Sequence, residues 1–229
     1  MLRLRSALAA DAVLEAFDTF VATYKANFDP NQPRVPAGNP DGGQWTREDG
    51  APGTQLASTE KPGIGRAAIL AAVVRAAKRL IDAYRQENFL LDLFGDREGT
   101  VGVTTIDGDN PVFGMNSTSP AFTGVDRADA DQLRDTLLVK HPDVMEPDFL
   151  GRRPNDAIYH AETTVLLRAT RESGGTLAGR TLEVFIDRTM CRSCRTVLPY
   201  VGLELGNPTV TFIDPRGVTR TMRDGSWLD

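Results

Sequence analysis

The sequence predicts an α/β domain on a mixed five-stranded sheet, ending in an antiparallel hairpin and preceded by an N-terminal helical extension. Three observations predict it. From about residue 99 onward, strand and helix patterns follow one another as β-β-(α)-α-β-α-β-β. The last two strand patterns are separated only by DPRG, too short for a crossover helix, so they run antiparallel. Upstream, a third of residues 28–63 are Pro or Gly, which separates the strand-rich part from a helical N-terminus. The expected organisation is an N-terminal helix over 1–27, a linker over 28–63, a connecting helix over 64–98 and the strand-rich domain over 99–229.

The N-terminal helix puts Leu14, Phe17, Val21 and Tyr24 on one face. Its start is basic like a signal peptide, but Asp11 and Glu15 interrupt any apolar core. The linker keeps no apolar period, and Trp45, unusual in a pure linker, is a candidate for docking. The second helix, about Gly65 to Leu93, carries Ile69, Val73, Leu80 and Tyr84 on one side, with Gly95 closing it. TVGVTTIDGDNPVFGMNSTS reads as a hairpin turning at Asp107–Asn110. A polar helix follows from about Asp126 to Lys140, with Asp126 as its N-cap. HAETTVLLRATRESGG is a helix with Val165, Leu166 and Ala169 facing the core, and Gly174–Gly175 stop it. TLEVFID is a strand alternating Leu182, Val184 and Ile186. CRSCRTVLPYVGLELG is a short helix, and TVTFIDPRGVTRTM is a second hairpin turning at Asp214–Gly217.

Composition bounds the function classes. The chain has 229 residues, 41% hydrophobic and 25% charged, as in ordinary soluble domains. The longest apolar run, Ala67 to Val74, is far short of the roughly 20 residues of a membrane helix, so no membrane partner is expected. Two cysteines three apart exclude a disulfide framework. The net charge of −5 is uneven: Met1 to Phe149 holds 15 basic and 22 acidic residues, whereas the remainder holds 11 basic, all arginine, and 9 acidic. Arginine forks phosphate better than lysine does.

Both cysteines lie in MCRSCR, residues 190–195, a pattern open to redox, structural-metal and catalytic-metal readings. A thioredoxin-like redox fold needs another strand and helix before its later Pro strand, and the gap from Cys194 to Pro208 leaves no room for them. A closed structural site needs a fourth ligand, and only His141 or a carboxylate is left to supply one. His160, Cys191 and Cys194 stand at the starts of two consecutive helices joined by one strand. Side-by-side crossovers bring such N-termini to one sheet edge. A helix N-terminus also favours thiolate, the form zinc binds. One His and two Cys leave a tetrahedral zinc one open position, the mark of a catalytic site. Glu162, two residues after His160, can sit beside the metal without binding it and carry a proton.

H-x-E followed by C-x-x-C on two helix starts resembles the zinc-dependent nucleobase deaminases. HAETTVLLRATRESGG and LEVFIDRTMCRSC carry that resemblance, which covers about Gly99 to Trp227. It implies a three-layer deaminase fold, Zn²⁺ on His160, Cys191 and Cys194, and Glu162 as the proton carrier. Asn116, followed by Ser117, sits where relatives place an asparagine that touches the sugar. The antiparallel end and CRSCRTVLPYVGLELGNPTVTFIDPRG look most like the bacterial polymorphic-toxin deaminases, including the DddA-like DNA cytosine deaminases. RVPAGNPDGGQWT resembles a stretch at the front of bacterial toxin and phage-associated proteins. Met190 departs from the pattern, because the family places a proline before the first cysteine.

The resemblance implies hydrolytic deamination of cytosine in nucleic acid, with DNA as the first candidate and uracil as product. It also implies delivery of a toxin into target cells, action in the cytoplasm, and a cognate immunity protein. A free cytidine or nucleotide deaminase and a zinc-stabilised binding module are the alternatives. Tyr159 either packs in the core or stacks on a base. Arg192, with Arg188 and Arg195, either faces the pocket mouth or is ordinary surface charge.

Overall fold

The computed structural model describes residues 66–90, 99–106, 111–145 and 154–228. The expected N-terminal helix, the linker with Trp45, and the turn at Asp107–Asn110 lie outside the described residues. Among the described residues, five α-helices and six strands follow one another: α1 Arg66–Glu87, β1 Val101–Thr105, β2 Pro111–Met115, α2 Gly124–Lys140, the short α3 Pro142–Met145, α4 Ala161–Glu172, β3 Thr181–Ile186, α5 Arg192–Glu204, β4 Thr209–Ile213, β5 Thr219–Arg223 and β6 Ser226–Trp227. A 3₁₀ turn, Pro154–Tyr159, leads into α4. Among the described residues, no helix is long and apolar enough to cross a membrane.

The sheet is mixed, in the order β2-β1-β3-β4-β5-β6. Among the described strands, only β3 and β4 run parallel, registered from Thr181↔Thr209 to Phe185↔Ile213, and the other pairings are antiparallel. Six strands replace the five expected. β6 is two residues long, too short to show alternation, and it returns through Asp224 and Gly225 at φ 52° and 70°. Those positive φ values make the two-residue hairpin turn that suits the strand twist.

Alternation along the strands sorts the core into two faces. On one face Val112, Leu182, Val184, Ile186, Val210 and Phe212 pack with Val165 and Leu166 of α4 and Val197 and Leu198 of α5. On the other, Val101, Val103, Met115, Phe185 and Ile213 meet Val73, Ala77 and Ile81 of α1. Helix α1 stops at Glu87, well before Gly95, and buries the i+4 stripe Val73, Ala77, Ile81 and Arg85, beside which Leu80 is only half-buried. Tyr84 adds a stacked contact with Phe113 at 4.1 Å.

Helix α4 lies so close to β2 that a Cβ at Gly114 would fall 2.2 Å from the Val165 nitrogen and 2.6 Å from the Ala161 carbonyl oxygen. Backbone on both sides cannot give way. Gly114→Ala is therefore expected to destabilise the fold by about 3 kcal/mol, the upper range for overpacking. A urea midpoint indistinguishable from that of the wild type would refute that close approach.

The N-cap of α2 is Thr123, not Asp126. Asp126 is the third helical residue, and the two close a reciprocal capping box. Its carboxylate also takes Arg168 at 2.6 Å and Arg171 at 2.9 Å, tying α2 to α4. Burial alone would raise the Asp126 carboxyl, but Arg168, the Thr123 amide and Arg171 hold it well below the usual carboxylate range. A lowered folded-state value contributes stability in full above the unfolded value near 4 and loses it as pH falls through the folded value. Stability is expected to fall below about pH 4, and Asp126→Asn to flatten that slope in urea midpoints measured against pH.

Candidate metal centre

The helix starts that the sequence singled out do converge. His160 is the N-cap residue of α4, and its side chain makes no capping bond, which leaves the imidazole free to point elsewhere. Its backbone is fixed from both sides: its amide donates to Ala157 and its carbonyl accepts from Thr164. Cys191 is the N-cap residue of α5, and its sulfur accepts from the Cys194 amide at 3.3 Å. The parallel pair β3 and β4 sets this up. Helix α5 leaves the carboxyl end of β3, beside the start of α4.

The imidazole Nδ1 of His160 lies 3.6 Å from the Cys191 sulfur and 3.3 Å from the Cys194 sulfur. All three donor atoms lie within 4.8 Å of one another, so His160, Cys191 and Cys194 can hold a metal ion. Among the described residues no fourth histidine, cysteine or carboxylate joins them. His141 lies elsewhere, its ring against Tyr200 and its Nε2 3.3 Å from Glu204.

The electrostatics favour a cation there. The neighbouring Cys194 thiol, opposed by burial and helped by His160, holds the Cys191 thiol down to about 4. Cys191 and burial push Cys194 well above the ordinary thiol range. Cys191 also raises His160. The lowered Cys191 thiol favours thiolate, the form a metal binds, and a bound cation favours releasing the proton of Cys194 as well.

Glu162 is buried one residue inside α4, only 4% exposed, and within hydrogen-bonding reach of the Cys194 thiol. Burial raises its carboxyl, against the opposing pull of a backbone amide and of His160. A carboxyl held so is suited to accept and return a proton. The Asn116 side-chain oxygen accepts from the Thr100 amide at 3.2 Å. Ser117 donates its amide to the Tyr159 carbonyl at 2.9 Å, which links the end of β2 to the residue before His160. The Tyr159 hydroxyl is held by Asp131 and Arg134, and Arg127 sits over its ring. Arg192 is exposed on the first turn of α5, with no ion pair among the described residues. Met190 is buried in the core, where its side chain fills space.

No family model and no curated protein matches this chain.

Sequence reasoning missed the brace behind the centre. Arg85 of α1 reaches Asp187, at the end of β3, with Nε at 2.9 Å and Nη2 at 2.6 Å from one carboxylate oxygen. The other oxygen accepts from the Val101 amide at 3.0 Å. Asp187 opens the loop that ends at Cys191. The signal was available: Val73, Ala77, Ile81 and Arg85 share one i+4 stripe, so an arginine on it had to be buried and paired.

Proposed function

We propose that this chain is a zinc-dependent deaminase acting on cytosine in nucleic acid, with DNA as the first substrate class. The carrying observation is a three-donor His-Cys-Cys cluster with a buried, non-ligating carboxyl beside it. Zinc bonds of about 2.3 Å to sulfur and about 2.0 Å to nitrogen separate tetrahedral N and S donors by about 3.5 Å. The observed separations of 3.6 and 3.3 Å fit that ion. Bound there, zinc supplies a Lewis acid that brings the pKa of a water near neutrality. Glu162 takes one proton of the water to the ring nitrogen of cytosine, and then carries the added hydroxyl's remaining proton to the amine as the carbon–nitrogen bond breaks. Oxygen replaces nitrogen at that carbon, and ammonia leaves. The depth of Glu162 keeps bulk solvent from competing for the proton.

His160→Ala, Cys191→Ser and Cys194→Ser are each expected to reduce zinc from about one ion per chain to a small fraction, measured by elemental analysis. Incubating the zinc-loaded chain with single-stranded DNA, duplex DNA, RNA and free cytidine tests the function. Uracil in DNA is the expected result. Activity on cytidine alone would overturn the nucleic-acid reading, and inactivity on all four with zinc bound would overturn the deaminase.

A further inference from the structure

We infer that the groove between the cysteine loop and the β4–β5 turn binds a phosphodiester of the substrate strand. This rests on the deaminase reading above and deepens it, because it names where the strand is held. The groove, about 180 Å³, is lined among others by Met190, Arg195, Asp214, Arg216 and Arg220. Its place follows from the topology. The parallel strands β3 and β4 end at the same sheet edge, and the chain segments leaving those two ends form its walls. Crevices outside the carboxyl ends of parallel strands are where open α/β sheets take ligands. Met190 and Arg195 line the groove and lie one residue along the chain from Cys191 and Cys194, so the same helix start serves both the groove and the metal centre.

Its charge selects the ligand. Three arginines face one carboxylate, and that carboxylate is already committed. Asp214 accepts from the Arg216 and Val218 amides with one oxygen, and from the Arg216 guanidinium at 2.9 Å with the other. This closes the turn and fixes Arg216 at the rim. Arg195 is anchored through its backbone, whose carbonyl accepts from Trp227 Nε1 at 2.7 Å. Its guanidinium makes no hydrogen bond or ion pair among the described residues. The volume is below the roughly 300 Å³ at which small-molecule pockets begin, yet it holds a phosphate with a few waters at about 30 Å³ each. Guanidinium forks match phosphate oxygens, and fixing one phosphate beside the metal centre would set which base reaches Glu162.

The test uses the full zinc-loaded chain, with Arg195→Gln, Arg216→Gln and the double variant. A labelled cytosine-containing single strand is titrated by fluorescence anisotropy across a salt series, with thermal melts as a folding control. Each substitution is expected to weaken binding about tenfold, as loss of a charged hydrogen bond does. The log–log salt slope should become shallower by about 0.7 per arginine. Arg223→Gln, outside the groove, should leave both unchanged. An unchanged slope in the folded double variant overturns the proposal, as does failure of the wild type to bind the strand. Equal competition by inorganic phosphate would mark a free-anion site and overturn it too. Strand binding through these arginines without deamination would leave the groove standing and sink the deaminase. Deamination of the strand unaffected by the double variant would do the reverse.

Discussion

Glu162→Ala is expected to lower deamination by about a hundredfold to ten-thousandfold, the span associated with a positioned general acid–base group. Zinc content is expected to stay at about one per chain, because Glu162 stands outside the donor cluster. The carboxyl is buried on the first turn of α4 and burial disfavours its charge, so alanine removes a costly group. Stability should therefore hold or rise slightly. Glu162→Gln keeps the shape but cannot accept a proton, and should be as inactive. A purely structural Glu162 predicts otherwise: a lower melting temperature and turnover that persists in whatever folds. Turnover near the wild-type level in either variant would remove Glu162 from the mechanism.

Breaking the Arg85–Asp187 pair carries the largest expected stability effect. The two side chains are 1% and 3% exposed, and the pair is completed by bonds from Arg85 to the Gly99 and Leu90 carbonyls. Removing one partner leaves a buried charge uncompensated, which costs about 3–5 kcal/mol. For a folded part of this size that lowers the melting temperature by roughly 10 °C. Arg85→Met and Asp187→Asn should each show it. The double Arg85→Met/Asp187→Leu should recover much of the loss, since a buried ion pair exchanged whole for apolar groups is often near neutral. The pair also has a functional side. Asp187 fixes the strand end from which the cysteine loop departs, so the single variants should release zinc to a chelator faster than wild type. A single variant with wild-type melting and zinc retention would contradict this account of the brace.

What the sequence made legible was short in range. The helix starts at His160 and Cys191, the strand at Leu182–Ile186 and the turn at Asp214–Gly217 each announce themselves within a few residues. The donor cluster followed because a strand between two helices forces their starts to one edge. The missed features depend on what lies across the fold. Asp126 reads locally as a cap, but Thr123 supplies the capping oxygen, and the Asp126 carboxylate is shared with Arg168 and Arg171, more than 40 residues away. Leu80 and Tyr84 looked like the buried side of α1. The actual stripe runs through Ala77 and Arg85, small and charged residues that a hydrophobic pattern passes over. The groove at the β4–β5 turn joins Arg195 to Arg216 and Arg220 from separate elements, and no spacing rule connects them.

The most direct measurement is product analysis of a cytosine-containing single-stranded DNA incubated with the zinc-loaded chain. Uracil is expected at cytosine positions with one ammonia released per uracil, and neither product with Glu162→Ala. A fully zinc-loaded, folded wild type that forms no uracil and releases no ammonia from DNA, RNA or cytidine would contradict it.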